Sequence, residues 1–204
     1  MSFWDEQFGR AGFKYGTAPN AFLVTQEPHF PRGARVLVPG DGEGRNGAWL
    51  AGQGHRVTSL DQSAVGLAKA RALAAERGVA LGTLQADLST WAPEPGTWDA
   101  VVLTYVHLPP DIRAAAHRHL ARGLAPGGLL VLEAFHPRQR TRGTFGPKDA
   151  AMLYTLEMLR ADLTDPAAGP LVEAVAWEGE VLLDEGPGHA GPGDVVRWVG
   201  TRAG

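Results

Sequence analysis

The 204-residue sequence contains no cysteine, which excludes disulfides, thiolate metal sites and cysteine nucleophiles and makes a reducing cytosol the expected setting. No stretch approaches 18 uninterrupted apolar residues, so no membrane-spanning helix and no membrane partner are expected. The opening residues, MSFWDEQFGRAGFKYG, lack the basic start and apolar run of a secretory signal. Basic charge is not in excess. The formal net charge is −3 with the two signs interspersed, where a nucleic-acid binder carries a basic stripe, so no nucleic-acid partner is expected. Lysine is scarce, 3 against 16 arginines, and genomic base composition accounts for that without functional weight. No internal repeat or low-complexity linker interrupts the chain, and nothing in it sets an oligomeric state.

The residues that are present have an ordinary globular composition, 44% apolar and 20% charged, and the length suits one domain. Residues 1–33 are aromatic, acidic and broken by proline, and read as a flap. A βα rhythm follows over 34–135. ARVLVP (34–39), HRVTSLD (55–61), VALGTLQAD (79–87), WDAVVLTYV (98–106) and LLVLEAF (129–135) read as strands. RNGAWLAGQG (45–54), QSAVGLAKARALAAERG (62–78) and PPDIRAAAHRHLARGLAPGG (109–128) read as helices between them. Strands alternating with helices predict a doubly wound, mostly parallel α/β sheet. Over 136–204 the order changes: a basic, breaker-rich loop, an amphipathic helix at 150–163, then two strands joined by GPGHAGPG as an antiparallel hairpin. The expected total is seven strands.

The densest signal is VPGDGEGRNG (38–47), directly after the first strand. Glycines there permit positive φ and let a ligand lie against amide N–H groups at the next helix start. From Gly42 the segment satisfies G-x-G-x-x-G, with Asp61 nineteen residues on, which is also the dinucleotide fingerprint of an NAD(P)-dependent oxidoreductase. Three features favour S-adenosylmethionine instead. Asp87 is a second acid at a strand end, LARGLAPGGLLVLEAF places a tight Pro-Gly-Gly turn before a strand, and the tail is antiparallel. Together VLVPGDGEGRNGAWLAGQGHRVTSLDQS, QADL, WDAVVLTYVHLPP and LAPGGLLVLEAF resemble the class I S-adenosylmethionine-dependent methyltransferases, in family order and over most of the chain. FWDEQFG, YGTAPNAFLV and GEGRN are similar to its small-molecule branch, which holds the thiopurine and tellurite-resistance enzymes.

The resemblance implies a Rossmann-like seven-stranded fold, S-adenosyl-L-methionine as cofactor and a small-molecule methyl acceptor. It implies that Gly40, Gly42 and Gly44 meet the amino-acid part of the cofactor, that Asp61 and Gln62 meet the ribose, and that Asp87 and the Leu88 N–H meet the adenine. Asn46, Thr104, Trp4 and Tyr15 complete the expected cofactor set. Arg45 reads as a cap or a surface ion pair. The family's usual acid inside the first strand is replaced by Val38, so either Asp41 or the carbonyls of Pro39 and Gly40 take its place. A fold retained without turnover, a non-catalytic S-adenosylmethionine-binding protein, is a further alternative. His107, His136 and His189 fall after the fourth strand, after the fifth and in the last hairpin, where they could approach one cavity. An imidazole suits general-base work near neutral pH, and His107, then His189, are the expected bases. The long spacings carry no metal signature, and no metal is expected. His117 and His119 read as surface residues of a helix.

Overall fold

The computed structural model describes residues 2–142, 145–164, 171–186 and 188–204. Residues 143 and 144 of the expected basic loop and residue 187 of the expected hairpin turn lie outside the described residues. Seven strands form one sheet: β1 Arg35–Pro39, β2 Arg56–Asp61, β3 Gly82–Gln85, β4 Trp98–Thr104, β5 Leu124–Phe135, β6 Leu171–Asp184 and β7 Ala190–Arg202. Their spatial order is β3-β2-β1-β4-β5-β7-β6. The first five pair in parallel, while β7 is antiparallel to both β5 and β6. β6 therefore runs in the same direction as β1 to β5, and its far end emerges at their carboxyl edge. Among the described residues six α-helices accompany the sheet: α1 Phe3–Phe8, α2 Ala21–Gln26, α3 Arg45–Gly52, α4 Ala64–Glu76, α5 Pro110–Gly123 and α6 Leu156–Leu163. Among the described residues no helix is long and apolar enough to cross a membrane.

Alternation along the strands sorts the core into two layers. Leu37, Leu60, Val101, Leu103, Leu130, Leu132, Val196 and Trp198 face α5 and α6 on one side. Val36, Val38, Val57, Ala100, Val102, Val131 and Val199 face α2 and α3 on the other. Because β1 is apolar on both faces, its end is a fixed point from which the glycine segment departs. Helix starts are marked in sequence: Ser63 Oγ caps α4 by accepting the Gly66 N–H at 3.0 Å, and Asn20 Oδ1 caps α2 by accepting the Leu23 N–H at 2.8 Å.

Three expectations change. The helix read over 150–163 is a short 3-10 turn at Ala150–Met152, an extended Leu153–Tyr154 step, and α6. Tertiary bonding breaks it, for the Tyr154 N–H donates to the Phe135 carbonyl and the buried Tyr154 hydroxyl accepts the Leu108 N–H. β5 begins at Leu124, five residues before the apolar run, because Leu124 pairs with Trp98 before a register shift. His117 is a core residue, 1% exposed, and its ring Nδ1 lies 2.9 Å from Asp162 Oδ2, which also takes the Arg113 guanidinium at 2.7 Å. Arg113, His117, Leu120 and Ala121 share one helical stripe, so the histidine points inward with the leucine.

Asp162 is held below the usual carboxylate range by its hydrogen bonds to His117 and Arg113, which outweigh the opposing effect of burial. Replacing Asp162 with Ala leaves two buried cationic or polar groups without their partner. Urea unfolding is expected to show a loss of about 3 kcal/mol. The wild-type advantage should fade as pH falls, since a carboxylate of depressed pKa stabilises only while ionised.

Candidate active site

The carboxyl edge of the sheet carries the glycine segment, and its backbone explains the composition. Gly40, Gly42 and Gly44 all have left-handed φ values of 65°, 56° and 84°. Each also lies where a side chain would collide: a Cβ would stand 2.7 Å from Val106 at Gly40, 2.7 Å from Phe8 at Gly42 and 2.5 Å from Ala70 at Gly44. Two carboxylates hold the segment from beneath. Asp61, at the end of β2, accepts the Gly42 N–H at 2.9 Å and the Ser63 N–H at 2.8 Å. Asp41 turns away from the edge, accepting the Ser59 hydroxyl and, at 3.1 Å, the N–H of Gly47 in the first turn of α3. A side chain on Gly47 would overlap both Ser59 Oγ and Asp41 Oδ2. Asp41 therefore serves as a strut between β2 and α3, and the position vacated by Val38, itself fully buried, is not filled by it.

Residues 2–20 lie over this edge. The Trp4 and Phe8 rings stack at 5.3 Å, and Phe8 rests on Gly42 and Gly66. Asp5 accepts the Ser63 hydroxyl at 2.7 Å, the Lys14 N–H donates to buried Glu43 at 2.7 Å, and Lys69 donates to the carbonyls of Arg10 and Gly12 and to Glu43. Tyr15 stacks on His189 at 4.6 Å. Beneath them sits a buried polar cluster. Asn20 Nδ2 donates to both Glu133 and Glu185 at 2.8 Å, Tyr105 donates to Glu133 at 2.7 Å, and Arg45 donates to Glu185 at 2.7 Å. Arg197 closes on Glu133, and Asn46 Nδ2 donates to Thr104 at 2.7 Å. Arg45 and Asn46 are thus buried, contrary to the surface pairing expected of Arg45. None of Asn20, Tyr105, Glu133, Glu185 and Arg197 stood out in the sequence. The only faint signal was two glutamates inside or beside apolar strands.

The three strand-end histidines separate. His107 and His189 flank the Phe135 ring, at 5.7 and 5.3 Å. His136 instead faces Glu178, 3.5 Å away, and Arg138. His107 has both nitrogens committed: Nδ1 donates to the Met152 carbonyl at 2.6 Å and Nε2 accepts the Phe135 N–H at 3.2 Å. With no free lone pair and a pKa pushed by burial down to about 4, its ring ties the β4–α5 loop to β5 and has no site for an incoming proton. That corrects its expected place as first-choice base. His189 keeps a buried Nδ1 without a hydrogen-bond partner, 3.9 Å from Glu185, and burial with the nearby Arg45 charge lowers its pKa to about 3. Of the remaining expected cofactor residues, Gln62 and Asp87 are exposed, and Asp87 turns its carboxylate onto the Ser89 N–H at 2.8 Å. Leu88 packs part-buried on the core beside them.

A sheet of this order, with a glycine segment after β1 and an acid at the end of β2, defines a Rossmann-like cofactor-binding domain. A dinucleotide double unit has only parallel strands, and the antiparallel β7 between β5 and β6 does not fit it. Residues 36–128 match the family described as a methyltransferase domain. The chain is 37% identical over 154 residues to the thiopurine S-methyltransferase of Xanthobacter autotrophicus, a stretch covering 62% of this chain and 68% of that one. It is 35% identical over 145 residues to the ribosomal RNA small subunit methyltransferase C of Chromohalobacter salexigens, covering 65% of this chain but 41% of that one. An S-adenosylmethionine-dependent methyltransferase structure from Methanosarcina mazei superposes with a TM-score of 0.72 at 16% identity, over 91% of this chain and 99% of that one. The chain belongs to the class I S-adenosylmethionine-dependent methyltransferases.

The residues present fit that cofactor. Gly40 is open to solvent at the strand end, and an ionised Asp61 spends two of its roughly four lone-pair sites on the loop, leaving others for a ribose diol. Within the site, Asp41 carries a measurable pH signature. Burial raises its pKa to about 6, against the opposing bonds from Ser59 and Gly47. A carboxylate raised in the folded state stabilises fully below its unfolded pKa and loses that contribution as pH rises through about 6. Asp41→Asn is therefore expected to gain stability over the wild type as pH rises from about 4 to about 6, by up to about 3 kcal/mol, and to keep that gain unchanged at higher pH. Melting temperatures across that range decide it; a difference independent of pH would remove Asp41 as the cause.

Proposed function

We propose that this chain methylates a small-molecule acceptor, held at the carboxyl edge between the N-terminal segment and the β6–β7 hairpin. S-adenosylmethionine, when bound, supplies a methyl group already activated on a sulfonium, so the protein's part is alignment and exclusion of water. Gly40, Gly42, Gly44 and Asn46 would hold its amino-acid part, Asp61 and Gln62 its ribose, and Asp87 and Leu88 its adenine. Thr104, Trp4 and Tyr15 would close the sides, and residues 1–33 would act as the cover of a single domain spanning 1–204. Carbonyls of Pro39 and Gly40 are left to receive the cofactor's amino group, since Asp41 points inward. A cytoplasmic setting and an acceptor other than RNA go with this reading. The chain spans well under half of its ribosomal RNA relative, and it has no basic stripe.

The observation that carries the acceptor class is the poverty of strong bases. His107 has no free nitrogen, and the His189 ring stays neutral far below physiological pH, so neither draws a proton readily from an alcohol or an amine. An acceptor that ionises by itself needs no such help, and a thiol, selenol or tellurium species does so. Tyr15 and Tyr105, part-exposed and backed by the buried His189 and Phe135 rings, would give a flat, soft group a polarisable boundary. The 37% identity to a thiopurine S-methyltransferase supports the same choice.

Calorimetry should give micromolar binding of S-adenosylhomocysteine and none of NAD; the reverse would overturn the cofactor assignment. With two aryl thiols of different acidity as acceptors, kcat/KM is expected to follow each thiol's own ionisation. His189→Asn should change the rate by less than about threefold. An inflection that stays near pH 6 to 7 for both thiols and disappears in His189→Asn would restore the histidine as a base.

A further inference from the structure

The buried cluster beneath the N-terminal segment has a centre. Asn20 donates one N–H of its side-chain amide to Glu133 and the other to Glu185, its Oδ1 accepts the Leu23 N–H, and its own backbone N–H donates to Asn46 Oδ1 at 2.8 Å. It is fully buried, as is Glu133, and Glu185 is 3% exposed. From Asn20 the bonds lead outward to the two halves of the site. Through Glu133 they reach Tyr105, the one non-glycine among the described residues with a left-handed φ, 55°. Such a conformation persists only when its surroundings hold it, and the hydroxyl bond to Glu133 and stacking on Phe135 at 4.6 Å do so. Through Glu185 they reach Arg45, which opens α3 directly behind the glycine segment. Through Asn46 they reach Thr104, the last residue of β4. The hairpin is tied in as well, by the bond of the Glu185 N–H to the His189 carbonyl at 2.9 Å.

We infer that Asn20 is a positioning residue for methyl transfer, setting Tyr105 and the His189 hairpin, on the acceptor side, at a fixed distance from the cofactor loop by bridging Glu133 and Glu185. The chemistry singles out an amide. Two carboxylates brought to one group require two donors there, and an Asn side chain supplies two N–H groups in one plane. Arg45 and Arg197 meet the same carboxylates from outside and balance two negative groups with two positive ones. Without the bridge Glu185 keeps Arg45 and the Ala21 N–H and Glu133 keeps Arg197 and Tyr105, but no one side chain joins the two carboxylates. Asn20 touches no reacting atom in this account. It acts through Tyr105 and the hairpin, so its loss should show in transfer and not in cofactor capture. The inference rests on the acceptor side proposed above.

Asn20→Ser separates the bridge from the helix cap, because a serine hydroxyl still caps α2 but cannot serve two carboxylates. With saturating S-adenosylhomocysteine, amide hydrogen exchange in Asn20→Ser is expected to rise by about tenfold at residues 104–106 and at Glu185, Gly186, Gly188 and His189, which are far away in sequence, while β1 and β2 stay protected. Affinity for S-adenosylhomocysteine should stay within about threefold of wild type, and kcat/KM for the thiol acceptors should fall by about tenfold or more. Exchange that rises only within residues 14–26, or an affinity for S-adenosylhomocysteine that falls in step with kcat/KM, would overturn the inference. The exchange and calorimetric measurements need no acceptor, so a failure of the thiol assignment is told apart from a failure of the bridge. Asn20→Ala, which removes cap and bridge together, should add exchange within α2; if Asn20→Ser behaves as wild type and only Asn20→Ala departs from it, Asn20 is a cap alone.

Discussion

The hydrogen bond from the Gly42 N–H to Asp61 joins the two features on which the site depends, a loop too bare to hold itself and a strand end that cannot move. Three left-handed glycines in five residues have wide conformational freedom in the unfolded chain, and ordering them is costly. The rigid neighbours supply the order. β1 and β2 are bonded in register along their length, so Asp61 arrives at a set place beside the loop. Asp41 then fixes the other end of the loop to the first turn of α3. Once the loop is set, Arg45 and Asn46 are aimed under the N-terminal segment, and the polar cluster can assemble around them.

Much of the fold was legible because its signals are local. Apolar runs marked three of the five parallel strands, β1, β2 and β4, within a residue or two, and Asp61 stood out as an acid at a strand end. The antiparallel tail was legible for the same reason, two apolar stretches about a Gly-Pro turn. What stayed hidden depends on residues far apart in the chain. Asn20 meets Glu133 across 113 positions and Glu185 across 165, and no window of sequence contains that triangle. His117 carried a local signal that was passed over: it stands four residues after Arg113 and three before Leu120, on the stripe that packs inward. The helix read over 150–163 failed for the opposite reason, since its amphipathic pattern is real and a tertiary bond from Tyr154 overrides it.

The distribution of charge also separates support from chemistry. Asp41, Asp61, Glu133 and Glu185 are all buried, yet each has donors that fix its direction, and together they join elements rather than face an acceptor. A histidine with both nitrogens bonded belongs with them. Methyl transfer from an activated sulfonium asks little of acid–base groups. A site whose polar side chains are spent on holding shape is consistent with that demand.

The N-terminal segment meets the last hairpin along glycines as well as through the Tyr15–His189 stack. Gly16 lies against the backbone of Glu185 and Gly186, Gly186 lies against the backbone of Tyr15 and Gly16, and Gly188 lies under the Tyr15 ring. An alanine scan ordinarily detects what a side chain contributes. At Gly16, Gly186 and Gly188 it would detect intrusion, because each substitution there adds bulk where the two segments touch. The constraint is therefore mutual: whatever sequence drift changes the hairpin must leave room for Tyr15 and Gly16.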